Sequence, residues 1–322
     1  MPGGAQNFAR PALSVNMNRA MSRFFPLLCL LLPTICSGAE QLRLSMQHDG
    51  VMRHYEVYLP TAWQDQAEPA LLVVLHGLRG SGSRVAELSA FNARAERQGF
   101  IVVYPDSQAS RWNYLYAIPG AFDGPDDPGF LTRLTDSLSA TYHIDATRRF
   151  IIGISNGGFM AQRMACEPES RYAGFASVAA GGFAALPGSC ARATPVDALY
   201  LHGTEDRLVP WQGRMVEDAE GERQQVTLSV TESLKFWAAH NRCEQAIDTE
   251  DLPSKGQSPG TRVRVYSTRQ CIAEARVRLY AVIGGGHNWP GAAGRISPSV
   301  AGRVNLDIHA SDVISEFFLG ER

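Results

Sequence analysis

Short, almost unbroken aliphatic runs recur along the chain, each closing on glycine, proline or a small polar residue, and amphipathic stretches separate them. The runs are LLVVLHG (71–77), GFIVVYPD (99–106), RRFIIGIS (148–155), YAGFASVAAG (172–181), VDALYLHGTED (196–206) and RVRLYAVIGGGH (276–287). A strand that is apolar on both sides must be covered on both faces, which is the condition of a parallel sheet. The stretches between them predict helices over 83–99, 126–142, 156–167, 229–243 and 307–319. Asp127 with Pro128 marks one helix start, and Ser229 with Glu232 has the spacing of a capping box. Ahead of them, QLRLSMQH (41–48) and RHYEVYLP (53–60) alternate as an antiparallel hairpin at a sheet edge. The pattern predicts an α/β fold: a mostly parallel, doubly wound sheet with helices on both faces, whose ligand sits beyond the carboxyl ends of the strands.

Of the 322 residues, 45% are hydrophobic and 19% charged, with a formal charge of −2 and no cluster of Lys or Arg. Such a chain has no electrostatic footprint for nucleic acid, which leaves small or neutral ligands. Near the start, Arg19 and Arg23 flank Met21, the run FFPLLCLLLPTIC follows, and Ser37-Gly38-Ala39 precedes Glu40. This predicts a signal peptide over 1–39, with Met17 or Met21 as alternative starts, and export to the periplasm or the outside. The run of about 13 residues is shorter than the roughly 20 that span a bilayer, so no stable membrane association is expected after cleavage. A lipid on Cys36 is disfavoured by the bulky Ile35 before it. The rest, 40–322, is expected to be a single domain.

Cleavage removes Cys29 and Cys36 from the six cysteines and leaves Cys166, Cys190, Cys243 and Cys271. An even number in an oxidising compartment predicts disulfides. Three connectivities are open; the sequential one, favoured here, closes two loops worth about 3.5 kcal/mol each on the chain-entropy model. No C-x-x-C spacing and no nearby histidine suggest zinc, so no metal is expected.

Gly153-Ile154-Ser155-Asn156-Gly157 is a G-x-S-x-G set directly between a predicted strand and a predicted helix. The bare pattern is weak; the strand-turn-helix setting is that of a nucleophile elbow. A serine hydroxyl needs a base, and the base needs a carboxylate to fix its tautomer. Asp206 and Glu205 follow a strand end downstream, and the shorter Asp206 is preferred as the acid. Of the later histidines, His240 and His309 fall in helices, whereas His287 follows a strand and sits in a glycine-rich loop. Oxyanion donors are expected at the Asn156 amide and at Leu78, after the L-H-G of the strand at 71–77. His76 itself precedes the nucleophile and is expected to position or pack.

The segments LHG, GFIVVYPD, RWN, GISNGG, LHGTED and GGGHNWPG resemble, in order and spacing, the secreted polyhydroxybutyrate depolymerase and feruloyl esterase group of α/β-hydrolases. The resemblance extends over nearly all of 40–322. It implies an α/β-hydrolase fold, a Ser155, Asp206, His287 triad, oxyanion donors at Leu78 and Asn156, disulfides Cys166 to Cys190 and Cys243 to Cys271, and hydrolysis of carboxylic esters. Such acyl transfer needs neither metal nor organic cofactor. Leu78 stands where relatives commonly have cysteine, and no separate polymer-binding domain follows EFFLGER, so attack on solid polymer is not expected. Trp112, Asn113, Trp211 and Trp289 fall in loops at the same sheet edge and are expected to line an acyl or aromatic subsite. The expected partner is a small or oligomeric ester: 3-hydroxybutyrate oligomers first, with feruloyl or acetylxylan esters as the alternative. A catalytically silent secreted binding protein on the same scaffold is the reading from another class.

Overall fold

All six aliphatic runs become neighbouring strands of one sheet. The computed structural model describes residues 38–118, 124–217, 221–292 and 296–320, so the predicted signal peptide lies outside them except for Gly38 and Ala39. In chain order the elements are β1 (Glu40–His48), β2 (Val51–Leu59), β3 (Leu71–Leu75), α1 (Gly82–Ser89), α2 (Phe91–Gln98), β4 (Ile101–Pro105), α3 (Asp127–Tyr142), β5 (Arg149–Ile154), α4 (Asn156–Ala165) and β6 (Gly174–Val178). There follow α5 (Leu186–Ser189), β7 (Asp197–Gly203), β8 (Arg214–Glu217), β9 (Arg223–Thr227), α6 (Val230–His240), β10 (Ile247–Asp251), β11 (Arg262–Thr268), β12 (Val277–Ile283), α7 (Pro298–Ala301) and α8 (Ala310–Leu319). The ten-stranded sheet runs β1-β2-β4-β3-β5-β6-β7-β12-β11-β10. Its centre, β4 to β12, is parallel, and the pairs at both flanks are antiparallel.

The period of two sorts the strand residues onto two faces. Leu71, Val73 and Leu75 join Phe130, Met160 and Trp237 of α3, α4 and α6 in one core. Leu72 and Val74 join Val85, Phe91 and Ile314 of α1, α2 and α8 in the other. This is the doubly wound arrangement that the alternation predicts. Both cysteine pairs are joined sequentially, Cys166 to Cys190 and Cys243 to Cys271.

Three details differ from the sequence-based expectation. The helix expected over 83–99 is two, broken at Ala90, which is left-handed with φ 51°. Carbonyls at the break find side-chain donors: Ser311 Oγ from α8 reaches the Ser89 oxygen, and Arg94 Nη1 from within α2 the Ala90 oxygen. The segment between Asp206 and His287, expected to hold one helix and a covering stretch before the last strand, also contains the β8-β9 hairpin and the strands β10 and β11, which extend the sheet. Finally, the cap of α3 is Asp126, which accepts from the Gly129 amide at 2.8 Å, while Asp127 turns inward.

There Asp127 Oδ1 meets Arg53 Nη2 at 2.6 Å, and its Oδ2 takes the Asn113 amide at 2.7 Å. The Arg53 guanidinium also lies 3.9 Å from the centre of the Phe130 ring. Both partners are buried, and burial pushes the Asp127 carboxyl up against the opposing pull of the Asn113 amide and Arg53. Removing one member of such a pair leaves an uncompensated buried charge, so Asp127→Ala is expected to cost about 3–5 kcal/mol. Asp126→Ala, which removes a helix cap, is expected to cost about 1 kcal/mol. Urea unfolding of the two variants beside the parent measures the difference, and equal costs would refute the buried-pair account.

Candidate active site

Ser155 occupies φ 55°, ψ −120°, between the end of β5 and the start of α4. This conformation is rare for a residue with a Cβ and is held by its surroundings. The Ser155 amide donates to the Val178 carbonyl at 2.8 Å, and its own carbonyl accepts from Gly158 and Phe159. A Cβ on Gly153 would fall on the Gly157 backbone, and one on Gly157 would lie 2.5 Å from the Leu75 oxygen. The two glycines of G-x-S-x-G are thus required by close backbone approach, and the serine stands partly exposed at the sheet edge.

Asp206 follows β7, and His287 follows the adjacent β12. A Cβ on Gly203 would fall on the Gly285 and Gly286 oxygens, so the histidine loop lies directly over the end of β7. That loop is tied down on both sides: Glu205 donates to the Gly285 carbonyl at 2.8 Å, Gly286 to Arg303 at 2.9 Å and His287 to Ala301 at 2.6 Å. His287 Nδ1 meets Asp206 Oδ2 at 2.8 Å, with both side chains buried. Asp206 Oδ1 accepts the Leu208 and Val209 amides at 2.8 Å each. A carboxylate on Nδ1 fixes that nitrogen as the protonated one and leaves Nε2 to take a proton. Glu205 points elsewhere: it pairs with Arg303 at 3.1 Å and is 59% exposed. His309 caps α8, and His240 packs on Phe236 and Trp237. Among the described residues no hydrogen bond joins Ser155 to His287.

The loop after β3 passes beside the serine, since a Cβ on Gly77 would lie 3.4 Å from Ser155 Cβ. Among the described residues neither the Leu78 nor the Asn156 amide donates a hydrogen bond. The Asn156 side chain has a task that the sequence did not reveal. Its Oδ1 accepts the Trp112 amide at 2.7 Å and its Nδ2 donates to the Trp112 carbonyl at 3.1 Å. Trp112 Nε1 donates in turn to the His76 carbonyl at 3.0 Å. Trp112 is therefore fully buried and braces the loop; it does not line a subsite as expected. Trp289 is also fully buried, edge-on to Phe91 and bonded to Ser311 Oγ at 3.2 Å, and the same correction applies. Trp211 is half-buried, and Asn113 uses its amide groups on Asp127 and Pro125.

His76 donates Nδ1–H to the Gly77 carbonyl at 2.7 Å and accepts the Ser107 amide at Nε2, 3.1 Å, as a neutral imidazole must. Burial holds it below the ordinary histidine range, against the Gly77 carbonyl and Asp106. Sequence reasoning also passed over His202, which repeats the L-H-G setting of His76 at the end of β7. Burial lowers that ring too, against the pull of Asp206. Elsewhere, His48, Asp49 and Asp126 bring possible metal-ligand atoms within 4.8 Å of one another. His48 Nε2 already bonds Asp126 at 3.2 Å, which accounts for the group as a tie between hairpin and helix.

His76 and His202, with His309 also held low by burial and Arg94, fix the sign of an acid response. The unfolded chain takes up protons near the ordinary histidine pKa of about 6.5, before the folded chain does. The stability they contribute is therefore present above about pH 6.5 and lost as pH falls through their folded values. The melting temperature is expected to fall between about pH 7 and pH 5, and His76→Gln to flatten that slope. An unchanged slope in thermal melts of the variant would reject the neutral, buried assignment.

The family described as esterase PHB depolymerase matches residues 53–190. The chain is 29% identical over 259 residues to a putative esterase NocK of Nocardia uniformis subsp. tsuyamanensis, covering 78% of this chain and 74% of that protein. It is 25% identical over 225 residues to feruloyl esterase B of Piromyces equi, covering 69% of this chain and 40% of that protein, so it spans less than half of the latter. Among solved structures, an acetyl xylan esterase from Aspergillus awamori matches with a TM-score of 0.58 at 16% identity, over 88% of this chain and 100% of that one. At this identity the likeness establishes the fold alone, which is that of an α/β-hydrolase.

Proposed function

Residues 53–190 being those of the esterase PHB depolymerase family, and the chain a carboxylic ester hydrolase, we propose that it works through an acyl-enzyme on Ser155. The observation that carries this reading is the buried 2.8 Å contact of His287 Nδ1 with Asp206, on the sheet edge where the Ser155 turn stands. Ser155 Oγ attacks the ester carbonyl as its proton passes to His287 Nε2, and Asp206 stabilises the imidazolium. The Leu78 and Asn156 amides receive the oxyanion. His287 then protonates the departing alcohol, and water releases the acid by the same steps.

For the substrate we favour short 3-hydroxybutyrate oligomers, in keeping with the family description. The apolar exposure of Leu78 and Leu208, 59% and 39%, beside the nucleophile and acid loops suits an uncharged ester. Hydroxycinnamoyl or acetylated-sugar esters are the second reading, favoured by the likeness to a feruloyl esterase and an acetyl xylan esterase. The two disulfides support action in an oxidising compartment outside the cytoplasm.

Short 3-hydroxybutyrate esters, methyl ferulate and p-nitrophenyl acetate are the test panel, run with the parent and Ser155→Ala. The parent is expected to turn over the hydroxybutyrate esters fastest, and Ser155→Ala to lose at least about 10⁴-fold in kcat. A parent as inactive as the variant on every ester would leave only the silent binding scaffold. Asp206→Asn is expected to lower kcat by about 10⁴-fold through the wrong histidine tautomer, and Glu205→Gln to leave it unchanged. The reverse pattern would assign the acid role to Glu205.

A further inference from the structure

Asp206 faces two histidines. His202 is fully enclosed; its Nε2 stands 2.9 Å from the Val209 carbonyl and 3.5 Å from Asp206 Oδ2. The same oxygen meets His287 Nδ1 at 2.8 Å. Because a carbonyl only accepts, the proton of His202 sits on Nε2 and Nδ1 is bare. Nδ1 has no hydrogen-bond partner among the described residues, although the Ala180 backbone lies close to the ring. The Trp211 ring stands edge-on at 5.9 Å. Enclosing an imidazole with one nitrogen unsatisfied is unfavourable, and an apolar side chain of similar size would avoid that cost. The bond to Val209 therefore calls for a reason beyond packing.

We propose that His202 is a positioning residue for the Asp206-His287 pair. By donating to the Val209 carbonyl it closes the 206–209 turn, whose Leu208 and Val209 amides grip Asp206 Oδ1, and by staying uncharged it leaves the carboxylate to His287. The proposal rests on the reading of Asp206 and His287 as acid and base.

The charged and titratable groups facing the His202 ring are Asp206 from the loop after its own strand β7 and His287 from the loop after β12. A proton on His202 would set a cation 3.5 Å from Asp206 Oδ2, in competition with His287, and would repel the imidazolium that forms during catalysis. Burial opposes that proton and so does His287, whereas Asp206 and the Val209 and Ala180 backbone favour it; burial is the largest effect, so the ring stays neutral. Removing the Val209 bond frees the turn, weakens the grip on Asp206 and makes His287 less basic.

His202→Leu removes the donor, and His202→Gln keeps an N–H for Val209 without a titrating ring. The Leu variant is expected to lose about tenfold or more in kcat, with KM within about twofold. Its acid limb of kcat/KM should shift to lower pH, and the downfield Nδ1–H proton signal of His287 should move or broaden. The Gln variant should recover kcat to within about threefold of the parent, together with the signal. A Leu variant that melts lower but keeps the parental kcat, pH profile and proton signal would overturn the proposal, as would a Gln variant no better than Leu. If the Leu variant does not fold, nitrogen shifts of the parental imidazoles decide: Nε2–H with bare Nδ1 is expected on His202, and a charged ring or the opposite tautomer at neutral pH overturns it. The proton signal is read without turnover, so an inactive parent would count against the esterase mechanism while leaving the role of His202 separately measurable.

Discussion

The backbone at Ser155 is the constraint around which the site is built. A residue with a Cβ is held at φ 55°, ψ −120°, a departure of the kind that costs about 1–3 kcal/mol and persists only where neighbours over-determine it. The neighbours are identifiable: the Val178 carbonyl of β6 takes the serine amide, and Gly153 and Gly157 let β5, α4 and the end of β3 approach without side chains between them. Only a strand flanked on both sides by parallel strands offers those carbonyls, so the turn depends on the central position of β5. The same arrangement carries the ends of β3, β7 and β12 to the same edge, which brings the Leu78 loop, Asp206 and His287 to the side of the sheet where Ser155 stands.

What could be read from the sequence was what backbone and apolar patterning control. The aliphatic runs gave strands because their residues are buried on both faces, and the glycines around Ser155 and before His287 marked turns because no Cβ fits there. It is Asp206 and not Glu205 that meets His287, and side-chain length is only part of the cause. Consecutive residues leave the strand end in opposite directions, and Glu205 finds Arg303 in solvent while Asp206 turns under His287. Strands β8 and β10 are exposed along their whole length and carry no apolar alternation, so periodicity had nothing to detect. β11 does alternate, with Val263 and Val265 buried and Arg262, Arg264 and Tyr266 more exposed, but its place beside β12 is set by tertiary pairing. The break at Ala90 has a tertiary cause as well, because the Ser89 carbonyl is satisfied by Ser311 Oγ from α8.

The tryptophans show where local reasoning reached its limit. Trp112 and Trp289 lie in loops near the catalytic edge, and loop aromatics suggest recognition. Each indole N–H instead finds a buried acceptor, the His76 carbonyl for Trp112 and Ser311 Oγ for Trp289. An indole fully enclosed with its donor satisfied is a brace. Trp112 braces the strand end that precedes the Leu78 amide, and Trp289 fixes the loop just beyond His287 against α8.

The triplet L-H-G occurs twice, at the ends of β3 and β7, and the two copies do related work. In each the histidine is buried at a strand end and bonds a nearby carbonyl, Gly77 for His76 and Val209 for His202. The first bond orders the loop that carries the Leu78 amide, and the second closes the turn that carries Asp206. His76 also accepts the Ser107 amide, so both its nitrogens are satisfied, whereas His202 has one that is not. The difference lies in what faces the second nitrogen: Nε2 of His76 meets the Ser107 amide, whereas Nδ1 of His202 has the Ala180 backbone beside the ring and no donor among the described residues. A buried histidine kept neutral, with Nε2 donating to Val209 and standing 3.5 Å from Asp206 Oδ2, can thus order that turn without taking its charge.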